Sequence, residues 1–80
     1  MAKYDDLRRY LRDRQTSPWR ASFEEVVELV PGGLPSSAYN HPAWWSNSDS
    51  HPEAVAWLAA GWKTESVNLS ARRVTFLRST

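Results

Sequence analysis

His41, Asp49 and His51 lie close enough along the chain to suggest acid–base chemistry. An imidazole beside a carboxylate moves protons near neutral pH, and two imidazoles with one carboxylate supply three ligands of a zinc site. Both readings fall short. His51 precedes Pro52 at a helix start, where it decorates the cap, and the His-Asp-His set has no fourth protein ligand. Ser36 and Ser37 lack the Gly-x-Ser-x-Gly elbow of a serine nucleophile. Gly32-Gly33 is not followed by the Gly-Lys-Ser/Thr of a phosphate loop. There is no cysteine, which excludes disulfides, thiolate metal sites and a thiol nucleophile. These residues predict neither an enzyme nor a metal or cofactor site.

Recognition chemistry is better represented. Ser36, Ser37, Tyr39, Asn40 and His41 form a run of short hydroxyls, an amide and ring donors, the residue types that read base edges. Asn40 is of the type that pairs bidentately with adenine. Asn47 follows the aromatic pair Trp44-Trp45. An exposed tryptophan there would stack on a base or fill a pocket of a protein partner, and otherwise both rings belong to a small core. Lys63, Arg72, Arg73 and Arg78 are candidate phosphate ligands.

Charge is unevenly spread behind a net of only +1. Residues 1–20 carry six cations against three carboxylates, and residues 62–80 carry four against one. Residues 21–61 hold five carboxylates and no Lys or Arg. If the two ends meet in the fold, they make one basic face.

The elements that would position these groups can be read from the pattern. Tyr4, Leu7 and Leu11 recur at helical spacing and predict a helix over residues 3–14, with acidic residues in its first turn and arginines in its last. Gln15 to Ala21 reads as a loop. Ser22-Phe23-Glu24-Glu25 is a capping box, and Phe23, Val26, Val27 and Val30 form an apolar stripe that ends at Pro31-Gly32-Gly33, so a second helix covers 22–30. A short helix begins near Ser36 and is limited by Pro42. Ser50-His51-Pro52-Glu53 reads as another capping box, and the helix it opens ends at Gly61 in the left-handed conformation. Val67 and Leu69, then Val74 and Phe76, alternate with polar neighbours and predict a hairpin turning at Ser70 to Arg73. Trp57, Leu58, Val26, Val30, Leu7, Leu11, Val67 and Phe76 are the expected core.

One combination of residues carries a resemblance. Tyr4-Asp5-x-Leu7-x-x-Tyr10-Leu11, Ser22-Phe23-x-Glu25, Leu34-Pro35-x-Ser37-Ala38, Trp44-Trp45-x-Asn47, Ala56-Trp57-x-x-x-Gly61-Trp62 and Val74-x-Phe76-x-Arg78 together resemble a family of small bacterial proteins of actinobacterial type. Its members stand alone or attach to larger proteins, and the family is a domain of unknown function. The resemblance implies a compact module and a nucleic-acid role.

With 80 residues, the chain is expected to form a single small domain over 1–80. The expected fold class is α+β: three to four short helices packed on a C-terminal two-stranded antiparallel hairpin, winged-helix-like. The expected function is a DNA-binding module, a small transcriptional regulator or nucleoid-associated factor. In it, the helix beginning at Ser36 reads a groove of double-stranded DNA and the hairpin acts as a basic wing. The alternative is a protein-interaction module, antitoxin-like or an adaptor, anchored by an exposed tryptophan; a homodimer is also open. No apolar run approaches the ~18 residues of a membrane span, and the charged start is unlike a secretory signal, so a cytoplasmic (nucleoid) setting is expected.

Overall fold

In the computed structural model of the protein, which describes residues 2–79, the first helix α1 spans Asp5–Asp13. Its buried side is Leu7 and Leu11, as the spacing predicts. Its outer side closes on itself: Arg8 pairs with Asp5, Arg9 with Asp6 and Arg12 with Asp13, at 3.8, 3.0 and 3.3 Å. Exposed pairs of this kind contribute about 0–1 kcal/mol each, but they neutralise these arginines locally.

The first departure from the sequence pattern follows. The end of the expected loop is a strand, β1 (Trp19–Ser22). The expected two-stranded hairpin is therefore part of a three-stranded antiparallel sheet in the order β1-β3-β2, with β2 Trp62–Asn68 and β3 Arg73–Arg78. β1 pairs Trp19 with Phe76, Arg20 with Thr75, Ala21 with Val74 and Ser22 with Arg73. A four-residue strand shows only one cycle of alternation, Trp19 and Ala21 in and Arg20 out, which is too short to stand out as a period. The two basic ends of the chain do meet here: the Arg78 N–H donates to Ser17 Oγ, and the Arg78 guanidinium donates to the Arg14 carbonyl.

Ser22 closes β1 and opens α2 (Phe23–Val27). Both halves of the capping box form: Glu25 N–H donates to Ser22 Oγ at 3.1 Å and Ser22 N–H to Glu25 Oε1 at 2.8 Å. The helix is shorter than its apolar stripe. Leu29 N–H bonds to Val26 C=O and Val30 N–H to Val27 C=O, a tightening to i→i−3 that brings Val30 into the core ahead of Pro31. Gly32 and Gly33 follow at φ 83° and 80°, positions that favour glycine.

Next come α3 (Ser36–Asn40), a 3₁₀ turn (Pro42–Trp45) and α4 (Pro52–Ala59), which Gly61 terminates at φ 85°. The expected second capping box does not form. His51, not Ser50, is the N-cap; the Ser48 and Ser50 hydroxyls bond each other at 2.7 Å, and Glu53 turns inward to 5% exposure. β2 starts at Trp62, five residues before Val67, and a bulge at Glu65 shifts its register between Thr64 and Ser66. The extra residue breaks the period of two, so Trp62 and Val67 do not align in the sequence although both face the core side.

The core centres on the tryptophans. Trp19, Trp45, Trp57 and Trp62 are buried with Phe23, Phe76, Val74 and the expected Leu7, Leu11, Val26 and Val30; Leu58 and Val67 are only partly buried against them. Trp45 stacks between Phe23 at 4.8 Å and Trp57 at 6.2 Å. Of the adjacent pair, Trp45 is buried. Trp44 is half-buried, with its ring edge-on to Tyr4, Trp45 and Trp57.

Candidate nucleic-acid interface

The short helix α3 is held from behind. A five-residue helix has little stability of its own in water. Ala38 is fully buried, and the Trp45 indole N–H donates to its carbonyl at 2.8 Å. That carbonyl belongs to the last turn of the helix, where it would otherwise lack a partner. Ser36, Ser37 and Asn40 remain exposed on the other side. Asn40 Nδ2 donates back to the Ser36 carbonyl at 3.0 Å, which leaves Oδ1 and the second Nδ2 hydrogen facing outward. His41 is exposed at the C-cap.

Tyr39 joins α3 to the tip of the β2–β3 hairpin. Its ring meets Phe23 edge-on at 5.5 Å and lies under the Arg72 guanidinium, 5.2 Å from its centroid. Tip and α2 are tied by the Phe23 N–H, which donates to the Arg72 carbonyl at 2.9 Å. The turn itself is organised by Asn68, whose Oδ1 accepts from Ser70 Oγ at 2.9 Å and from the Ala71 N–H at 3.0 Å. Arg72 takes φ 54°, the one non-glycine residue with positive φ among the described residues. An arginine in the left-handed region is uncommon and costs about 1 kcal/mol or more, so the surrounding bonds must hold it there. Ser22, Phe23, Glu24, Tyr39, Ala71, Arg72 and Arg73 line a recess of about 290 Å³ between tip and helix, with Glu24 as its single carboxylate.

The remaining candidates separate. Lys63 is exposed on β2 opposite Leu77. Arg78 lies at the far end of β3, its guanidinium 5.5 Å from the Trp62 ring centroid. Asn47 serves the fold. Its Nδ2 donates to the Thr64 carbonyl at 2.9 Å, and its Oδ1 accepts from Thr64 N–H at 2.8 Å, Trp57 Nε1 at 2.9 Å and Thr64 Oγ1 at 3.0 Å. An Asn two positions after a buried tryptophan gives no local sign of this, because its partners are 10 and 17 residues away.

Arg20 carries no signal of a site in the sequence pattern. It is exposed on β1, and only that strand gives it a direction. Among the described residues, Arg20, Lys63, Arg72 and Arg73 form no ion pair, unlike Arg8, Arg9 and Arg12. No cluster of three or more potential metal ligands occurs among the described residues, and no helix there is long and apolar enough to cross a membrane. A second surface feature lies between the start of α1 and α4. Tyr4, Pro52, Val55, Ala56 and Ala59, with the residues around Lys3 and Arg8, form a largely apolar groove of about 680 Å³, and Val55 there is 46% exposed.

These elements define a small α+β domain of four helices and a three-stranded antiparallel sheet. The chain belongs to the DUF7662 family, a domain of unknown function, whose model matches residues 4–80. No curated protein and no solved structure matches it significantly.

Proposed function

We propose that the protein is a small double-stranded DNA-binding module, a transcriptional regulator or nucleoid-associated factor, built in the manner of a winged helix. α3 enters a groove and the β2–β3 tip holds the adjacent phosphates. The observation that carries this reading is the recess in which Tyr39 of α3 meets Arg72 and Arg73 of the tip, so that helix and wing face the same side. The element order supports it as well: a helix, a strand, further helices and a hairpin, with the first strand pairing with the last. The connection from α2 to α3 runs from Glu28 to Pro35, longer than the three or four residues of a tight helix-turn-helix, so the reading rests on shared facing and not on the turn. Within this reading Asn40 presents its free amide atoms to an adenine edge, and Ser36, Ser37 and His41 flank it.

Fluorescence anisotropy with a labelled random duplex tests the proposal. If Arg72, Arg73 and Lys63 each neutralise one phosphate, log K falls with log salt at a slope of about −2.7, close to 40-fold between 50 and 200 mM. Replacing Arg72 and Arg73 together by alanine brings the slope to about −0.9. No binding by the wild-type protein, or a double variant with the wild-type slope, overturns it. The apolar groove beside Val55 favours a second reading, a protein-interaction module. Association through that groove would be nearly insensitive to salt.

A further inference from the structure

The strand register places three cations on one side of the sheet. Arg20, Arg73 and Lys63 are exposed, while their neighbours Trp19, Ala21, Val74, Phe76 and Trp62 are buried on the other side. Arg20 stands opposite Thr75, Arg73 opposite Ser22, and Lys63 opposite Leu77. Arg20 and Arg73 are therefore diagonal neighbours across β1 and β3, a relation that sets side chains about 7–8 Å apart. Only small or neutral residues separate the three: Ser22, Thr75, Leu77, Ser66 and Asn68. Glu65 is the sole carboxylate on the three strands, and it lines a different cleft, with Pro42, Ser46 and Asn47.

Unlike the arginines of α1, these cations have no carboxylate partner among the described residues. Like charges on neighbouring strands repel, and no ion pair among the described residues compensates them. A row of anions at a spacing of a few ångströms would. Arg73 follows Arg72 at the tip, so the row starts where the proposed wing ends.

We propose that the open face of the sheet is a second phosphate-binding surface, on which Arg20, Arg73 and Lys63 carry the sugar–phosphate backbone of the duplex onward from the hairpin tip. This rests on the DNA-binding reading above and extends it to a residue, Arg20, and to a face that the helix-and-wing geometry alone does not require.

The experiment compares salt slopes for a random duplex among four proteins: wild type, Arg20→Ala with Lys63→Ala, Arg72→Ala with Arg73→Ala, and Arg12→Ala. The last removes one exposed positive charge from α1, where Arg12 already pairs with Asp13, and so controls for net charge. The proposal expects the Arg20/Lys63 variant to lose about 1.8 units of slope, as the tip variant does, and Arg12→Ala to keep the wild-type value. Arg20→Lys, with Lys63 intact, should also retain the wild-type slope. A loss of about 0.9 units or less in the Arg20/Lys63 variant, no more than Lys63 alone accounts for, with the tip variant impaired, overturns this surface and leaves the helix-and-wing reading standing. A wild-type protein that binds no duplex overturns both. Binding to vesicles of anionic lipid without binding to duplex would assign the face to a membrane surface instead.

Discussion

Two polar regions of the molecule use the same kinds of side chain in opposite ways. Around Trp45 and Trp57, polar groups are consumed: Asn47 satisfies both backbone groups of Thr64 and the Trp57 indole, and Trp45 satisfies the end of α3. Around α3 and the hairpin tip they are left over. Asn40 uses one donor, Ser36 and Ser37 face solvent, and Arg72 and Arg73 have no carboxylate partner among the described residues. The two asparagines make the contrast sharp. One is a bracket within the fold and the other an outward donor–acceptor pair, although both follow aromatic residues in polar runs. A candidate binding residue is recognised less by its type than by the hydrogen-bonding capacity the fold leaves it.

That contrast can be broken first at its interior pole. Trp57→Ala and Trp45→Ala each remove a buried indole and should cost roughly 3–5 kcal/mol, enough to unfold most of the population of a domain this small. A thermal melt at wild-type temperature for either variant would contradict the core as described. Trp45→Ala should also release α3, so any residual folded protein should bind DNA more weakly.

Asn47→Ala is the next largest. It strands the Trp57 N–H in a partly buried place and frees the Thr64 amide at the surface, for about 1–3 kcal/mol in denaturant unfolding. If Asn47 were a base-reading residue instead, its alanine variant would keep its stability and lose sequence preference.

At the surface pole the order reverses. Asn40→Ala should leave the melting temperature nearly unchanged and relax discrimination at one base pair by about 1–3 kcal/mol, measured by competition between duplexes that differ at single positions. A variant with intact preference would remove α3 from the readout.

The smallest effect expected is a dependence on alkaline pH. Desolvation, and then the nearby Glu53 carboxylate, raise the Tyr4 pKa from its ordinary 10.0. The folded state therefore holds the phenolic proton more tightly than the unfolded state, so this contribution is complete below pH ~10 and is lost as pH rises through the folded value. Melting temperatures should fall more steeply above pH 10 in the wild type than in Tyr4→Phe, and parallel curves would show that Tyr4 is not linked to folding.

Several local signals were legible in the sequence. The Ser22–Glu25 capping box, the left-handed Gly61, the Leu7–Leu11 stripe and the presence of a C-terminal hairpin were all readable. What escaped depends on distant partners. β1 exists because β3 offers it an edge, and WRAS alone lacks the length to announce a strand. The Glu65 bulge hid the start of β2 by breaking its alternation. Ser50-x-x-Glu53 has the letters of a capping box, but Glu53 is buried with its Oε2 3.6 Å from His51 Nδ1, and its charge acts on Tyr4. The charge pattern suggested a basic face where the two ends meet, but the residues left unpaired there, Arg20 with Arg73, could be picked out only through the register.

The most direct test of the contrast is a titration of the isotopically labelled protein with a random duplex, followed by amide and side-chain N–H resonances. The account predicts perturbations at Ser37 to Asn40, at Ala71 to Arg73 and at the Asn40 side-chain amide, while the Asn47 amide and the Trp57 indole stay in place. Movement of the Asn47 and Trp57 signals with α3 and the tip silent would contradict it.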